Sequence, residues 1–404
     1  MMKNDNIKLG QVAEFRNGVN YDESNFGKGI KIINVANFKD YSTPKYEELG
    51  EINPNDLIKE DDLLQKGDIV FVRSNGNKNL IGRTLYIDEV EENLTYSAFC
   101  IRARFTSKKC NPRFYSYLFK TDFIRKTLSS QGNGTNISNL NQKILNNLEV
   151  PLLSMDKQNK IVSILSKYDE LIENNLKRIK LLEESAELIF KEWFVNLKFP
   201  GYEKCNIVDG IPEGWNTKLV KEFGEVITGK TPSTKRSEYY DGDIPFIKTP
   251  DMSDVYITKT NQSLTEEGAK SQVNKYVPKN TILVSCIGTV GIVSLTSELS
   301  QFNQQINGLI PKYENYLYYM YFKFKSLKEY LEALGSSGAT MLNVNKGKFE
   351  SIEVLEPSKE VLDNFMNICK PVFDNILNIQ HQNEKLKEAR DILIPRLISG
   401  EIEV

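Results

Sequence analysis

Few side chains in this sequence have the type and spacing that catalysis requires. Its one histidine, His381, excludes metal centres with several histidines, and any catalytic triad or cysteine–histidine dyad that does not use that residue. The five cysteines include no C-x-x-C pair, so they predict neither a disulfide framework nor a zinc cluster and suit a reducing cytosol. We therefore expect no catalytic residue and no metal site in this chain.

One segment does match a nucleotide-binding motif. Residues 224–231 read GEVITGKT, the phosphate-loop pattern, whose chemistry needs the loop to run directly into a helix with phosphate-binding amides at its N-terminus. The next residues, 232–235, are a poor helix start because they begin with proline and continue into other turn residues. A nucleotide-binding enzyme that uses Lys230 is therefore the weaker alternative.

A second segment suggests methyltransferase chemistry. The sequence NPRF at 111–114 is similar to the N-P-P-[YF] signature of adenine methyltransferases, but the second proline is missing and no glycine-rich cofactor loop precedes it. We interpret Asn111 as the N-cap and Pro112 as the first turn of a helix. A fused methyltransferase-like enzyme is accordingly disfavoured.

Binding chemistry is better represented than catalysis. Lysine and arginine together number 52 against 54 acidic residues, so bulk charge does not attract nucleic acid. Residues 98–145, however, contain nine bases and one acid, whereas residues 40–62 contain eight acids and two bases. Such segregation predicts a basic face suited to phosphate, and the alternative is an ordinary solvated surface.

Side chains that can read base edges are concentrated in loops. Arginine can bind guanine, and asparagine or glutamine can bind adenine, through two hydrogen bonds, whereas the same polar residues also form simple turns. The predicted DNA-binding residues are Asn20, Tyr21, Arg73, Ser74, Asn75, Asn77, Lys78, Arg83, Asn133, Thr135, Asn136, Thr231, Ser233, Lys235, Arg236, Tyr239, Lys248, Thr249, Gln304 and Thr340.

A duplicated framework must position these loops. GNGTNISNLN at 132–141 is similar to SSGATMLNVN 204 residues later, and FYSYL at 114–118 is similar to YLYYM 202 residues later. Gly18 and Gly229 end similar short amphipathic segments. Each half has the same order of elements, namely short strands with glycine-bearing loops, an aromatic helix and a long helix.

Both predicted long helices carry a coiled-coil seam, in which core positions alternate at spacings of four and three. Asn175 is the fifth of ten seam residues in the first helix, and Asn383 is the sixth of ten in the second. If the helices pair antiparallel, the two asparagines meet and fix the register. The alternative is that each helix packs only on its own domain. Pro371 and Pro395 are expected to begin, kink or end helical pieces.

Several short motifs, all of them in the second half, add to the duplicated plan. They are IPEGW at 211–215, GKTPS at 229–233, YYDGDIPF at 239–246, Gly338 with NVN at 343–345, and RDILIPRLISGEI at 390–402. Together they resemble the specificity subunit of type I restriction–modification systems over essentially the whole chain. The first half departs from this pattern, because NGVNY at 17–21 replaces the G-x-T-P turn.

The resemblance implies an α+β fold. Two similar mixed α/β target-recognition domains would be separated by two long helices that form an antiparallel coiled-coil spacer, with a pseudo-twofold internal repeat. The recognition domains would be residues 1–153 and 201–357, and the spacer helices would be residues 154–200 and 358–404. The phosphate-loop match is then a turn of this family.

The resemblance also implies a non-catalytic subunit of a type I restriction endonuclease and adenine-N6 DNA methyltransferase complex. Each domain would read one half of a bipartite, asymmetric site in double-stranded DNA. Methyltransferase subunits, usually two, would dock on the helices, and restriction (translocase–nuclease) subunits would join them. S-adenosylmethionine, ATP and Mg would bind those partners, and this chain would hold no cofactor.

The predicted partner-docking residues lie near the helix ends. They are Phe190, Trp193, Phe194, Leu393 and Leu397. For the three aromatic residues, packing against a recognition domain is the alternative. Because no signal-peptide core or long apolar run occurs, we expect a cytoplasmic chain without a membrane segment. A coiled-coil adaptor without DNA contact is the remaining alternative function.

Overall fold

The computed structural model describes residues 6–38, 42–54, 58–75, 80–130, 139–336 and 342–404. The tertiary contacts divide the chain into two units. Unit 1 comprises Met1–Ile172 with Lys385–Val404, and unit 2 comprises Glu173–Glu384. The division falls inside both long helices, so each unit contains part of each helix.

Unit 1 begins with short strands and ends in helices. The strands are β1 (Asn6–Lys8), β2 (Ala13–Asn17), β3 (Phe26–Ile33), β4 (Gly50–Ile52), β5 (Ile69–Val72), β6 (Thr84–Tyr86), β7 (Leu94–Tyr96), β8 (Cys100–Phe105) and β9 (Glu149–Pro151). The helices are α1 (Pro112–Leu118), α2 (Asp122–Ser130), α3 (Gln142–Asn147) and the first part of α4 (Met155–Phe190), which ends in a π-helical turn, Lys191–Val195. Asn111 caps α1 as predicted, since its side chain accepts a 2.9 Å hydrogen bond from the Arg113 N–H.

Unit 2 repeats this order with a few additions. Its strands are β10 (Ile207–Val208), β11 (Ile211–Pro212), β12 (Asn216–Leu219), β13 (Gly224–Thr228), β14 (Tyr240–Ile247), β15 (Tyr256–Ile257), β16 (Ser263–Leu264), β17 (Ile282–Ser285), β18 (Val293–Thr296), β19 (Gln301–Phe302), β20 (Ile306–Pro311) and β21 (Glu353–Glu356). Its helices are α5 (Val220–Phe223), α6 (Glu266–Lys270), α7 (Leu317–Ser326), α8 (Lys328–Gly335), α9 (Lys346–Glu350) and most of α10 (Lys359–Ser399). No helix in the described ranges is long and apolar enough to cross a bilayer.

Two sheets recur with the same strand order in both units. The larger sheet is β2-β8-β5-β6 in unit 1 and β13-β20-β17-β18-β15 in unit 2, and the smaller sheet is β4-β3-β7 or β16-β14-β19. In each smaller sheet the central strand pairs antiparallel with one neighbour and parallel with the other. A two-stranded ladder, β1-β9 or β12-β21, completes each unit. The predicted duplication is therefore confirmed by the topology.

Each larger sheet is buried on both faces. On β5, Ile69 and Phe71 pack with the aromatic helix and the long helices, whereas Val70 and Val72 pack with residues of the smaller sheet. The side chains alternate because successive residues of a strand point to opposite faces. Strand β17 divides its side chains in the same way. Burial of each such side chain contributes roughly 1.5–3 kcal/mol, so this central sheet holds the loops at its ends in place.

The two long helices pair along the predicted seams. Within unit 2, the Phe190 ring lies 6.3 Å from the Phe365 ring, and the Asn175 Nδ2 donates a 2.9 Å hydrogen bond to the Asn383 Oδ1. Residue numbers rise along one helix while they fall along the other, so the pairing in this unit is antiparallel. Both asparagines are buried, with 6% and 3% of their surface exposed. The predicted asparagine pair is confirmed.

In unit 1 the same helices are joined by an ion pair. The Arg390 Nη1 donates to the Asp169 Oδ1 at 2.7 Å, and the Tyr117 hydroxyl donates to the Asp169 Oδ2 at 2.6 Å. Arg390 is the eighth seam residue of its helix and is 9% exposed. The charge of Arg390 can be buried because the arginine forms an ion pair with Asp169, whose carboxylate also accepts the hydrogen bond from Tyr117.

Helix α10 runs without interruption through both prolines. The expectation that Pro371 or Pro395 begins or ends a helical piece is therefore wrong. A proline inside a helix costs about 3 kcal/mol or more. The neighbours Cys369 and Phe373 are fully buried in the core of unit 2, and this packing offsets the local cost at Pro371.

Candidate nucleic-acid interface

Three segments of unit 1 meet at one end of the larger sheet. The Val19 N–H, just after β2, donates to the Tyr96 carbonyl at 2.9 Å, and the Ala98 N–H donates back to the Val19 carbonyl at 2.8 Å. Arg73, just after β5, donates from its N–H to the Phe99 carbonyl at 2.8 Å and from Nη1 to the Ala98 carbonyl at 3.2 Å. These segments bring together the predicted residues Asn20, Tyr21, Arg73, Ser74 and Asn75.

The corresponding end of the sheet in unit 2 has the same construction. The Lys230 N–H donates to the Phe302 carbonyl at 2.9 Å, and the Thr231 Oγ1 donates to the Gln304 Oε1 at 2.5 Å. Lys248 follows β14, which pairs in parallel with the strand β19 that leads into the Gln304 turn. The predicted residues Thr231, Lys248 and Gln304 are therefore adjacent, and Ser233 and Lys235 are exposed on the loop that follows Thr231.

A glycine makes the close approach possible in both units. The Gly18 N–H donates to the Cys100 carbonyl at 3.2 Å, and the Gly229 N–H donates to the Ile306 carbonyl at 3.2 Å. A Cβ atom at either glycine would stand 2.2 Å from a carbonyl oxygen of the facing turn. Only a residue without a side chain fits there, and the predicted correspondence of Gly18 with Gly229 is confirmed.

Main-chain hydrogen bonds also identify the other corresponding positions. Leu140 donates to the Arg73 carbonyl at 2.9 Å, and Val344 donates to the Cys286 carbonyl at 2.9 Å, so Arg73 and Cys286 correspond. The same criterion gives four further pairs, each written with the unit 1 residue first: Asn20 with Thr231, Asn34 with Lys248, Ala98 with Gln304, and Phe99 with Gln305. One main-chain frame thus presents a different set of side chains in each unit.

Other predicted DNA-binding residues are engaged within the protein. The Arg83 Nη1 donates to the Phe38 carbonyl at 3.2 Å. Arg236 donates to the Tyr239 hydroxyl at 2.6 Å and lies 5.2 Å from the centre of that ring. The Thr249 hydroxyl is buried and has no hydrogen-bond partner within the described part of the chain. The predicted residues that lie outside the described ranges are Asn77, Lys78, Asn133, Thr135, Asn136 and Thr340.

The predicted basic face of residues 98–145 is wrong for Arg102, Arg104 and Arg113. Arg104 binds both carboxylate oxygens of Asp68, at 2.8 and 2.7 Å, and Arg113 binds Asp88 at 2.6 Å. Arg102 is 5% exposed and donates to a main-chain carbonyl of the acidic segment. Arg104 and Arg113 neutralise buried or half-buried acids, and Arg102 is itself buried, so these three cations are part of the structure and do not present a surface to phosphate.

Sequence reasoning missed two side chains at this end of the sheets, Asn34 and Phe99. Asn34 accepts a 2.7 Å hydrogen bond from the Tyr21 hydroxyl, and it occupies the position that Lys248 has in unit 2. Phe99 is 60% exposed at the tip of its turn, and Gln305 is its half-buried counterpart. No residue identity links Asn34 to Lys248 or Phe99 to Gln305, so only the hydrogen bonds of the main chain reveal that these positions correspond.

The predicted partner-docking residues belong largely to the cores. Phe190 is 2% exposed, and its ring lies 5.6 Å from the Phe322 ring. Trp193 and Phe194 are half-buried, with the Phe194 ring 4.8 Å from that of Tyr319. In unit 1, Leu397 is 3% exposed and Leu393 packs partly buried against the same core. The structure thus favours packing within the cores of the two units for these side chains.

The segment that matches a phosphate loop is mostly strand. Residues Gly224–Thr228 form β13 and pair with β20, and after Lys230 the chain continues through a loop to the 3₁₀ turn Ser237–Tyr239. The helix that phosphate binding needs does not follow.

Burial raises the pKa of the Cys286 thiol, which lies just after β17, to about 12, so this sulfur is not a nucleophilic thiolate.

Comparisons with known proteins agree with this geometry. The family model for the type I restriction modification DNA specificity domain matches residues 1–184 and 212–388. The specificity subunit of the type I restriction enzyme HindI from Haemophilus influenzae is 31% identical over 409 residues, which cover 84% of this chain and 87% of that protein. The MjaIX specificity subunit from Methanocaldococcus jannaschii is 24% identical over 295 residues, 71% of this chain and 68% of that protein.

A solved structure shows the same fold. The crystal structure of the S subunit of a type I restriction–modification system from M. genitalium has a TM-score of 0.52 and 15% identity, and it covers 98% of this chain and 97% of that one. The fold and the two equivalent sites define a duplicated recognition protein. The chain belongs to the family of type I restriction–modification specificity subunits and carries two target-recognition domains. The resemblance found in the sequence motifs is confirmed.

Proposed function

We propose that this chain is the non-catalytic DNA-reading subunit of a type I restriction–modification complex and works together with DNA and the other subunits. Each recognition domain, at 1–153 and 201–357, reads one half of a bipartite, asymmetric site. The helices at 154–200 and 358–404 set the gap and dock methyltransferase subunits, two in number. S-adenosylmethionine, ATP and Mg bind to the methyltransferase and restriction subunits.

The observation that carries this proposal is the pair of matched main-chain frames with unmatched side chains. A duplicated binder of one symmetric target would keep the same side chains at corresponding positions. Here Arg73 corresponds to the buried Cys286, and Phe99 corresponds to Gln305. Because side chains at base edges decide sequence preference, the two units are suited to two different half-sites.

Docking of partner subunits is supported by apolar side chains that the helices leave exposed. Leu181 and Leu188 are 64% and 63% exposed on α4. They are seven residues apart and so lie on the same face of the helix. An exposed apolar stripe of this kind is typical of a protein interface.

Selection of DNA tests the proposal directly. The chain is combined with the methyltransferase subunits of its own system and offered a random duplex library, and the bound duplexes are sequenced. We expect two different short motifs at a constant spacing, with affinity that falls steeply as salt rises, because phosphate contacts release counterions.

The same assay separates the proposal from the coiled-coil adaptor. An adaptor would assemble with the partner subunits but would not enrich any sequence beyond what those subunits enrich alone. That result would refute the proposed function. The matched control is the partner preparation without this chain, at the same salt concentration.

A further inference from the structure

In the turn at 303–305 of unit 2, hydrogen bonds within the protein engage the side-chain oxygens of two glutamines. The Asn303 Oδ1 accepts from the Gln305 N–H at 3.1 Å, and the Asn303 Nδ2 donates to the Gln305 Oε1 at 3.1 Å. Because a main-chain N–H can only donate, it determines which atom of the Asn303 amide is the oxygen, and the second bond then identifies the Gln305 oxygen. In the adjacent residue, the Gln304 Oε1 accepts from the Thr231 hydroxyl.

Both glutamines therefore have an engaged oxygen and an available nitrogen. Within the described part of the chain, neither the Gln304 Nε2 nor the Gln305 Nε2 has a hydrogen-bond partner. Gln304 is exposed and Gln305 is half-buried. Lys230 is exposed beside the turn and Lys248 lies after the neighbouring strand; as ammonium groups, both can only donate. This end of unit 2 thus presents mainly donors.

Donors select among base edges. In the major groove, guanine offers two adjacent acceptors, N7 and O6, whereas adenine offers one acceptor beside a donor, thymine offers one acceptor and cytosine offers a donor. Recognition of adenine by glutamine uses its oxygen as well as its nitrogen, and here that oxygen already has a partner. Two neighbouring NH₂ groups match guanine best.

We infer that Gln304 and Gln305 are specificity-determining residues and that they read a guanine in the half-site of unit 2. The inference rests on the proposed function and adds the base that is read. At the corresponding place in unit 1, Ala98 and the exposed Phe99 offer no side-chain donor, so this particular guanine contact has no counterpart in unit 1.

The test uses the complex with its methyltransferase subunits and the target found by library selection. Duplexes carry single base-pair replacements at each position of both half-sites. For the unaltered chain we expect replacement of one guanine to weaken binding about 5- to 140-fold, which corresponds to 1–3 kcal/mol for a pair of specific hydrogen bonds.

Two isosteric variants, Gln304→Glu and Gln305→Glu, replace the donor by an acceptor. Each should lose the guanine preference and favour cytosine at that position, because carboxylates accept from the cytosine amino group. Gln304→Met and Gln305→Met each remove one of the two donors without adding charge, and each should weaken discrimination at that position only. The matched control is Gln65→Glu in unit 1, which adds the same charge at an exposed glutamine.

The outcomes separate the inference from the function on which it rests. If the unaltered complex shows no bipartite preference, the proposed function fails. If it reads a bipartite site and the glutamine variants keep the same base preference at every position, the function stands and the inference is overturned. Unchanged reading of the other half-site by the variants shows that they are folded and assembled.

Discussion

The buried asparagine pair gives a prediction whose size follows from the structure. Asn175 and Asn383 share a 2.9 Å hydrogen bond, and the Arg178 Nη1 adds a 3.4 Å bond to the Asn175 Oδ1. Replacing Asn383 with alanine leaves the Asn175 amide buried without its partner, which costs about 1–3 kcal/mol. In a unit of this size, each kcal/mol shifts the unfolding temperature by about 2–4 °C, so we expect a fall of roughly 2–12 °C.

The double replacement distinguishes the pair from two independent residues. With leucine at both 175 and 383 the seam is uniformly apolar, and neither unpaired amide remains, so stability should return to within about 1 kcal/mol of the original or exceed it. Differential scanning calorimetry of the four proteins in the cycle measures the coupling. The control is Asn174→Ala, an exposed neighbour on the same helix, with an expected change within about 0.5 kcal/mol.

Two results would refute this reasoning. If Asn383→Ala left the unfolding temperature of unit 2 unchanged, the hydrogen bond would contribute nothing. If the double leucine variant lost as much stability as the two single leucine variants together, the residues would be uncoupled and would not determine the helix register.

Three further predictions concern other contacts. Arg104→Ala should destabilise unit 1 by about 3–5 kcal/mol, because the buried Asp68 carboxylate loses its bidentate partner; thermal unfolding measures this, and the exposed Lys108→Ala should have little effect. Lys120 donates to a serine hydroxyl, and burial lowers the pKa of its amine to about 8 from 10.5. The native state thus binds fewer protons than the unfolded state between these values, so stability should rise with pH from about 8 towards 10 relative to Lys120→Met; an equal pH slope in both proteins contradicts it. Glutamate at 181 and 188 should abolish co-purification of methyltransferase subunits while the unfolding temperature of the free chain stays the same.

Local patterns predicted the features that depend on local geometry. The alternation of four and three residues follows from helix periodicity, so the seams and the pairing of Asn175 with Asn383 could be found in the sequence. Gly18 and Gly229 were detectable because their position at the end of a strand recurs in both halves. The expectation that Pro371 begins or ends a helical piece was wrong, since Cys369 and Phe373 on either side of it are buried in a core that only the fold forms.

The charges and the site side chains depend on long-range pairing. Arg104 and Asp68 are 36 positions apart in the chain, and no spacing rule indicates that β5 and β8 are neighbours. A count of bases in one segment therefore predicted a basic face where the fold has internal ion pairs. Likewise, Asn34 and Phe99 were missed because correspondence between the units depends on main-chain hydrogen bonds rather than residue identity.

Mapping of methylated adenines tests the central claim most directly. Genomic DNA is compared from host cells that carry this gene and from cells in which it is deleted. We expect gene-dependent methylation at a single asymmetric target, made of two different half-sites at a constant spacing. A palindromic target would contradict the claim that the two units read different sequences, and an unchanged methylation pattern would contradict a role of this chain in target selection.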